Sequence, residues 1–265
     1  MNSLNQYSVL IRGAGEMASA VAVVLQRVGF SVIMTELSIP CAIRRTVCFS
    51  DAILNGTAEV GGIKSVKAEY NNYHDVLRNG NIPIFTDSIE IINMIKPEFY
   101  VDARLLKRPV KDRRILAQFT VGLGPGFTVG KNCDVIIETM RGHNLGRVIW
   151  HGSASPNTGV PGKIGGESAK RVVYSPEVGN IKWLVDFGDI VQKNIVLGKI
   201  GEIEIKSHIS GIIRGLISPK VNVTKGMKIA DIDPRGREVN YTTISDKSRS
   251  VGRGVLEAIM VHRNQ

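Results

Sequence analysis

At 265 residues the chain is long enough for one large or two modest domains, and its 43% hydrophobic content is ordinary for a globular protein. No uncharged apolar run reaches about 18 residues, so neither a transmembrane helix nor a membrane partner is expected. The net charge of +10 divides as +5 over residues 1–170, +3 over 171–235 and +2 over 236–265, a diffuse basic surface that argues against nucleic acid and leaves anionic small ligands open.

The start, MNSLNQYSVL, has no basic segment leading into an apolar one, so no secretory leader is read. Cys41, Cys48 and Cys133 lack zinc or redox spacing and suit a reducing cytoplasm. The rest of the chain is organised around residues 8–36, SVLIRGAGEMASAVAVVLQRVGFSVIMTE. Val9, Leu10 and Ile11 form an apolar run of strand length. Gly13 and Gly15 come next, and Ala18 completes a G-x-G-x-x-A pattern. Residues 14–28 are apolar at helical spacing, Gly29 stands where a helix end favours a left-handed residue, and 31–34 read as a second strand. Glu36 ends that strand, 21 residues after Gly15. Gly13 allows a tight turn, and Gly15 lets a phosphate approach the backbone. Amides at the helix start face the anion, and the acid at the strand tip accepts hydrogen bonds from ribose. In this strand–turn–helix frame the pattern predicts a nucleotide site; the competing reading is a βαβ unit that keeps the shape without the ligand. Leu37 follows Glu36 with no immediate Arg, which disfavours a 2′-phosphate.

After Pro40, Arg44 and Arg45 lie beside the strand tip and are candidate phosphate clamps, with a solvated helix start or an ion pair as the alternative. A short helix is predicted over 50–54, a hairpin over 57–68 turning at Gly61-Gly62, a helix over 73–78 and a strand over 82–85. Asp87 or Ser88 caps a helix over 89–95 that Pro97 stops. A strand over 99–103 ends at Asp102 and Arg104, a polar pair over the ligand edge that serves either a site or its own pairing. A strand over 115–121 runs into GLGPGFTVGKN, where Gly122, Gly124 and Gly126 form either a second anion nest or a tight irregular loop. The strand over 134–138 leads into Glu138, Thr139, Arg141, His143 and Asn144, a polar cluster able to clamp a substrate or move protons. A lone His there is a poor ligand, so no metal site is expected. A strand over 147–150 precedes HGSASPNTGVPGKIGGE, a linker or a loop folded over a ligand.

Residues 175–201 and 207–233 match at an offset of 32: Ser175 with Ser207, Gly179 with Gly211, Leu184 with Leu216, Val191 with Val223, Ile200 with Ile232. Short strands with internal twofold similarity predict a small β-sandwich of two intertwined halves. Its pattern resembles the biotinyl/lipoyl barrel-sandwich module. That module carries its cofactor on a Lys at a hairpin tip between the halves. Here GEIEIK is too short to present such a tip, so neither biotin nor lipoate is expected. Arg214 and Lys220 read as solvated surface. Residues 236–265 start as a loop, with Asp246 expected to cap a helix over 247–261 that packs back on the body.

The stretches IRGAGEMAS, MTELSIPCAIRRTVCFS, VDARLLK, VGLGPGFTVG, VIIETMRGHNLGRVIW, PNTGVPGKIGG, KGMKIADIDPR and ISDKSRSVGRGVLEAIM together resemble the YqeB-type proteins of the selenium-dependent molybdenum hydroxylase system. The resemblance implies a cytoplasmic accessory role in maturing such hydroxylases, with hydroxylase subunits as partners. It also implies a Rossmann-like parallel sheet domain followed by a barrel-sandwich module. It carries over no catalytic residue. The expected organisation is residues 1–167, 168–235 and 236–265. The expected ligand is NAD-like or a molybdopterin dinucleotide. Gly13, Gly15 and Gly122–Gly126 would hold its pyrophosphate, Glu36 its ribose, and Arg44, Arg45 and Arg141 its charge. An NAD-dependent oxidoreductase and a non-catalytic adaptor are the other two readings, and the sequence leaves the oligomeric state open.

Overall fold

The computed structural model describes residues 7–160 and 162–265. Residues 1–6, on which the absence of a leader is read, and Pro161 lie outside the described residues. The chain divides into two units. The first holds the residues up to Ser38, Val47–Asn157 and Ile244–Gln265; the second holds Ile39–Thr46 and Thr158–Thr243. The division therefore falls at Asn157 rather than at 167, and it gives 39–46 to the second unit.

The first unit contains β1 (Ser8–Arg12), α1 (Glu16–Arg27), β2 (Ser31–Glu36), α2 (Asp51–Asn55), β3 (Thr57–Val60), β4 (Ile63–Lys67), α3 (Tyr73–Arg78), β5 (Ile82–Thr86), α4 (Ile89–Ile95), β6 (Phe99–Asp102), β7 (Phe119–Leu123), β8 (Val135–Ile137) and β9 (Val148–Ile149). The strands form one sheet in the order β3-β4-β5-β2-β1-β6-β7-β8-β9. From β4 to β8 every neighbour is parallel, and only the edge pairs β3–β4 and β8–β9 are antiparallel. The expected mixed α/β fold with a parallel sheet is what forms. Its strands are apolar on both faces because both are covered. Val9, Ile11, Val32, Met34, Val101 and Val121 face one core; Leu10, Ile33, Phe85 and Tyr100 face the other with Tyr73 and Ile92. Period-two alternation makes this partition. The chain builds outward from β1 through β2 to β5, then returns to lay β6 on the other side of β1. The carboxyl ends of β1 and β6 thus flank a topological switch, where sheets of this kind leave a crevice.

A last helix, α5 (Asp246–Arg263), completes this unit. Ser245, not Asp246, caps it by accepting from the Ser248 N–H. It packs along α1: Ser248 bonds Glu16, and a Cβ at Gly252 would lie 3.0 Å from the Ala20 carbonyl oxygen. The two helices therefore run the same way and start at the same sheet edge. One strand is shorter than predicted: Arg114–Leu116 is a 3-10 turn with Ile115 87% exposed, so β7 begins only at Phe119.

The second unit holds β10 (Val172–Tyr174), β11 (Gly179–Asn180), β12 (Lys182–Trp183), β13 (Ile190–Val191), β14 (Val196–Ile200), β15 (Ile203–Lys206), β16 (Gly211–Leu216), β17 (Asn222–Val223) and β18 (Lys228–Asp233). They form antiparallel sheets β10-β18-β16-β13, β11-β17 and β12-β14-β15. The sequence repeat is written into the pairing. Gly179 pairs with Val223 and Gly211 with Val191. Val173 pairs with Ala230 and Ile205 with Gly198. Moving one partner forward by 32 and the other back by 32 carries each pair onto the next. Each repeat thus zips onto the other, around a core that includes Leu197, Ile213, Val223 and Ile229. The hairpin tip joining the halves is Gly201-Glu202, while Lys206 lies on β15 in an ion pair with Glu204 at 3.0 Å. Arg214 is not solvated surface. It is 7% exposed and grips Asp231 and Asp233, with Arg171 on the far side of Asp231 and Arg235 on Asp233. No helix among the described residues is long and apolar enough to cross a membrane.

Candidate functional site

The carboxyl edge of the parallel sheet collects most of the residues singled out by sequence. Gly13 has φ +102°, so the turn requires glycine, and a Cβ there would lie in van der Waals contact with the Ala103 carbonyl at 3.4 Å. Gly15 is different. Its φ of −70° suits any residue, and nothing lies within 4 Å of where a Cβ would sit. No side chain caps α1. Glu36 folds back onto this bend: one carboxylate oxygen accepts from the Ala14 N–H at 2.8 Å, the other from the Leu37 N–H at 2.7 Å. Burial pushes its pKa up, against those two amides. The acid expected to hold a ribose therefore holds its own loop first, with lone pairs left over on each oxygen.

Beside the switch lies a polar layer outside the set predicted from sequence. Arg12 clasps Asp87 side-on at 2.7–3.0 Å, and the Thr35 hydroxyl donates to Asp87 at 2.7 Å. Burial alone would raise the Asp87 carboxyl. The bonds from Arg12 and Thr35 and the charges of Arg12 and Arg104 hold it below the usual range instead. Arg104 spends its fork on Asp102, at 2.9 and 2.6 Å, so that pair is structural. The buried Tyr100 hydroxyl stands among these groups beside the Arg12 guanidinium, and burial raises its pKa. A sequence signal for Arg12, Thr35 and Asp87 exists: each is the first polar residue after an apolar strand run, or lies one position from it.

The second glycine bend also lies on this edge, after β7, two strands from the first. Packing accounts for its glycines. A Cβ at Gly122 would fall 2.3 Å from the Phe127 ring, one at Gly124 2.3 Å from the Thr139 hydroxyl, and one at Gly126 2.3 Å from the Arg108 carbonyl oxygen. The segment leaving β6 touches both bends, Gly13 through Ala103 and Gly126 through Arg108. Chain from that segment thus lies against each bend. Leu105 and Lys107 in that segment sit at φ +53° and +58°, a strained conformation for residues with side chains.

Arg44 and Arg45 both belong to the second unit. Arg44 is 8% exposed and donates to the carbonyls of Tyr241 and Thr243, while Arg45 stacks over Phe187 at 5.7 Å. The Leu216 N–H holds their segment through the Ile43 carbonyl at 2.8 Å.

The cluster after β8 splits by role. Glu138 accepts from the Thr139 and Met140 N–H groups through one oxygen and from the Ser155 N–H through the other, each at 2.8 Å. Burial would raise its pKa, but those amides lower it, so it is an ionised pin between loops. Arg141 forks onto Asp246 at 3.0 Å twice, and that bond draws Asp246 down to about 2. His143 is exposed. Asn144 joins Glu138, Arg147, Trp150 and His151 around a cavity of about 600 Å³. Burial pushes the Cys133 thiol up to about 12, which makes it an inert side chain. Among the described residues no His, Cys, Asp and Glu group is placed to hold a metal.

Asp87, Glu138 and Asp246 all have folded pKa values below their unfolded ones. Their stabilisation is complete above the unfolded values and drains away as pH falls through the folded ones. The urea midpoint should therefore hold steady above about pH 5 and drop progressively below about pH 4, the ordinary carboxyl range. A midpoint that stayed flat down to pH 3 or rose would contradict these pairings.

The chain is 44% identical over 259 residues to the uncharacterized protein YqeB of Escherichia coli (strain K12). The match covers 97% of this chain and 48% of YqeB, so the chain spans about half the length of the curated relative it matches. No protein-family profile matches. Among solved structures, TcdA (CsdL) aligns at a TM-score of 0.35 and 10% identity, over 99% of this chain and 90% of that one. An aspartoacylase family protein from Mesorhizobium loti aligns at 0.30 and 13%, over 85% and 84%. Likeness this loose bears on neither ligand nor activity.

Proposed function

From the YqeB match, which supports membership of that family, we propose that this chain is an accessory factor for selenium-dependent molybdenum hydroxylases. Its first unit is Rossmann-like and binds the diphosphate of a nucleotide-type ligand, a molybdopterin dinucleotide or an NAD-like molecule, where β1 turns into α1. Its second unit is a barrel-sandwich of the biotinyl/lipoyl kind without the carrier lysine, since the tip between its halves is Gly201-Glu202. Hydroxylase subunits are the partners this reading calls for.

The observation that carries the reading is Gly15. Neither its backbone angle nor its surroundings need glycine, yet glycine stands at the bare start of a 12-residue helix beside the topological switch. A missing side chain that the fold does not require keeps room for something outside the fold. The test is calorimetric titration of the full chain with NAD and with cytidine and adenine dinucleotides. Gly15→Trp should fold to within about 0.5 kcal/mol of wild type and weaken binding roughly 100-fold or more by filling the approach. Binding that survives in Gly15→Trp, or is missing in the wild type, removes the reading. Mass spectrometry of ligands released from the purified protein then names the molecule.

A further inference from the structure

β9 is the last strand of the large sheet. The chain that leaves it is pinned along its return. The Gly152 carbonyl accepts from the Val129 N–H at 2.9 Å, the Ser153 and Thr128 hydroxyls bond at 2.9 Å, and the Ser155 N–H donates to Glu138 at 2.8 Å. This pinned loop, the strand and Glu138 enclose the cavity of about 600 Å³. Sites for small molecules have volumes of this order.

The groups around the cavity are one-sided in chemistry. The Trp150 ring packs on the core beside Phe119, with ring centroids 6.4 Å apart, so the indole is anchored. Its N–H makes no hydrogen bond among the described residues, whereas the other tryptophan, Trp183, donates to the Ile217 carbonyl at 2.9 Å. An anchored indole usually sets its N–H against an acceptor. Arg147 is short of acceptors too. Its guanidinium meets only the Asn144 side-chain oxygen, at 3.4 Å, and it forms no ion pair among the described residues. Asn144, with its oxygen so used, has an NH2 group to spare. The acid of the lining cannot serve these donors: Glu138 is 2% exposed, and its oxygens already take the amides of Thr139, Met140 and Ser155. Three donors, one of them cationic, thus stand without acceptors beside an apolar wall of Val148, Ile149 and the indole.

We propose that this cavity binds a planar aromatic ring carrying an oxyanion, a carboxylate or a phosphate. The guanidinium, the Asn144 NH2 and the indole N–H donate to the ligand's oxygens, and the ring fills the apolar side. Arg147 supplies the attraction, since a guanidinium fork fits either oxyanion. The three amides on Glu138 shield the ligand from that carboxylate. β9 lies four strand spacings from β1, roughly 19 Å at about 4.8 Å each. The cavity is therefore a second site, and it stands whether or not the Gly13–Gly15 bend holds a nucleotide.

The chain has two tryptophans, so a nitrogen–proton correlation spectrum of the full chain shows two indole signals, and Trp183→Phe identifies which belongs to Trp150. The experiment titrates the wild type with benzoate, phenyl phosphate, benzamide and acetate. Benzoate or phenyl phosphate should move the Trp150 signal saturably and leave the Trp183 signal still. Benzamide, which lacks the charge, and acetate, which lacks the ring, should each bind roughly tenfold more weakly or less. The tighter of the two aromatic anions names the oxyanion. Arg147→Gln should bring the anions down to the level of benzamide without moving the melting midpoint, because the side chain is exposed. Arg147→Lys should restore the anions only in part, since an ammonium keeps the charge but not the fork. A Trp150 signal that neither aromatic anion moves overturns the inference. So does benzamide binding as tightly as benzoate, or anion binding in Arg147→Gln equal to wild type.

Discussion

Asp231→Ala is expected to cost about 3–5 kcal/mol in equilibrium unfolding, because it takes a shared carboxylate from two buried guanidinium groups at once. Asp231 is 1% exposed and lies between Arg171 and Arg214, each 7% exposed. Arg214 would keep Asp233, already shared with Arg235, while Arg171 would keep only its bond to the Gly162 carbonyl at 3.2 Å. The pseudo-twofold supplies an internal control. The residue 32 positions before Asp231 is Lys199, and the position equivalent to Arg214 is Lys182. The buried network thus exists in one half of the unit only, and Lys199→Ala should move stability by no more than about 0.5 kcal/mol. Urea unfolding of both variants decides the matter. An Asp231→Ala as mild as Lys199→Ala would mean that water reaches the network and that its burial does not govern stability.

That asymmetry also marks where sequence stops being legible. The repeat can be read directly, since matched glycines and aliphatics at one offset need no knowledge of the fold, and the strand pairing follows it residue for residue. The burial of Arg214 cannot be read, because a lone arginine on a short strand looks like any solvated one until its two aspartates arrive from β18. The first βαβ unit is legible for the same local reasons: an apolar run, two glycines, helical spacing. Sequence does not disclose the fold-back of Glu36 onto Ala14, which depends on how far apart adjacent parallel strands end. Nor does it disclose the fate of Arg44 and Arg45. They sit eight and nine residues past the strand tip in sequence, yet the bonds of their segment to Leu216, Tyr241 and Thr243 and the Arg45–Phe187 stack lie within the other unit. Gly122, Gly124 and Gly126 have a packing reason that sequence does not disclose: Phe127, Thr139 and Arg108 occupy the space a side chain would need.

Gly254 carries the other large effect, and here the sign itself is informative. It lies inside α5 at ordinary helical geometry, where alanine would normally be better by about 1 kcal/mol. Yet a Cβ at this position would fall 2.2 Å from the Gly146 carbonyl oxygen and 2.9 Å from an Ile137 methyl. Backbone cannot give way as a side-chain tip does. The helix must retreat from the loop after β8 or that loop must distort, at about 1–3 kcal/mol for one extra methyl and more for a larger group. Gly254→Ala should therefore lower stability despite its better helix propensity, and Gly254→Leu should lower it by about 3 kcal/mol or more. Calorimetric melting of the two variants is the measurement, and a Gly254→Ala that melts higher than wild type would show that the close approach is not obligatory.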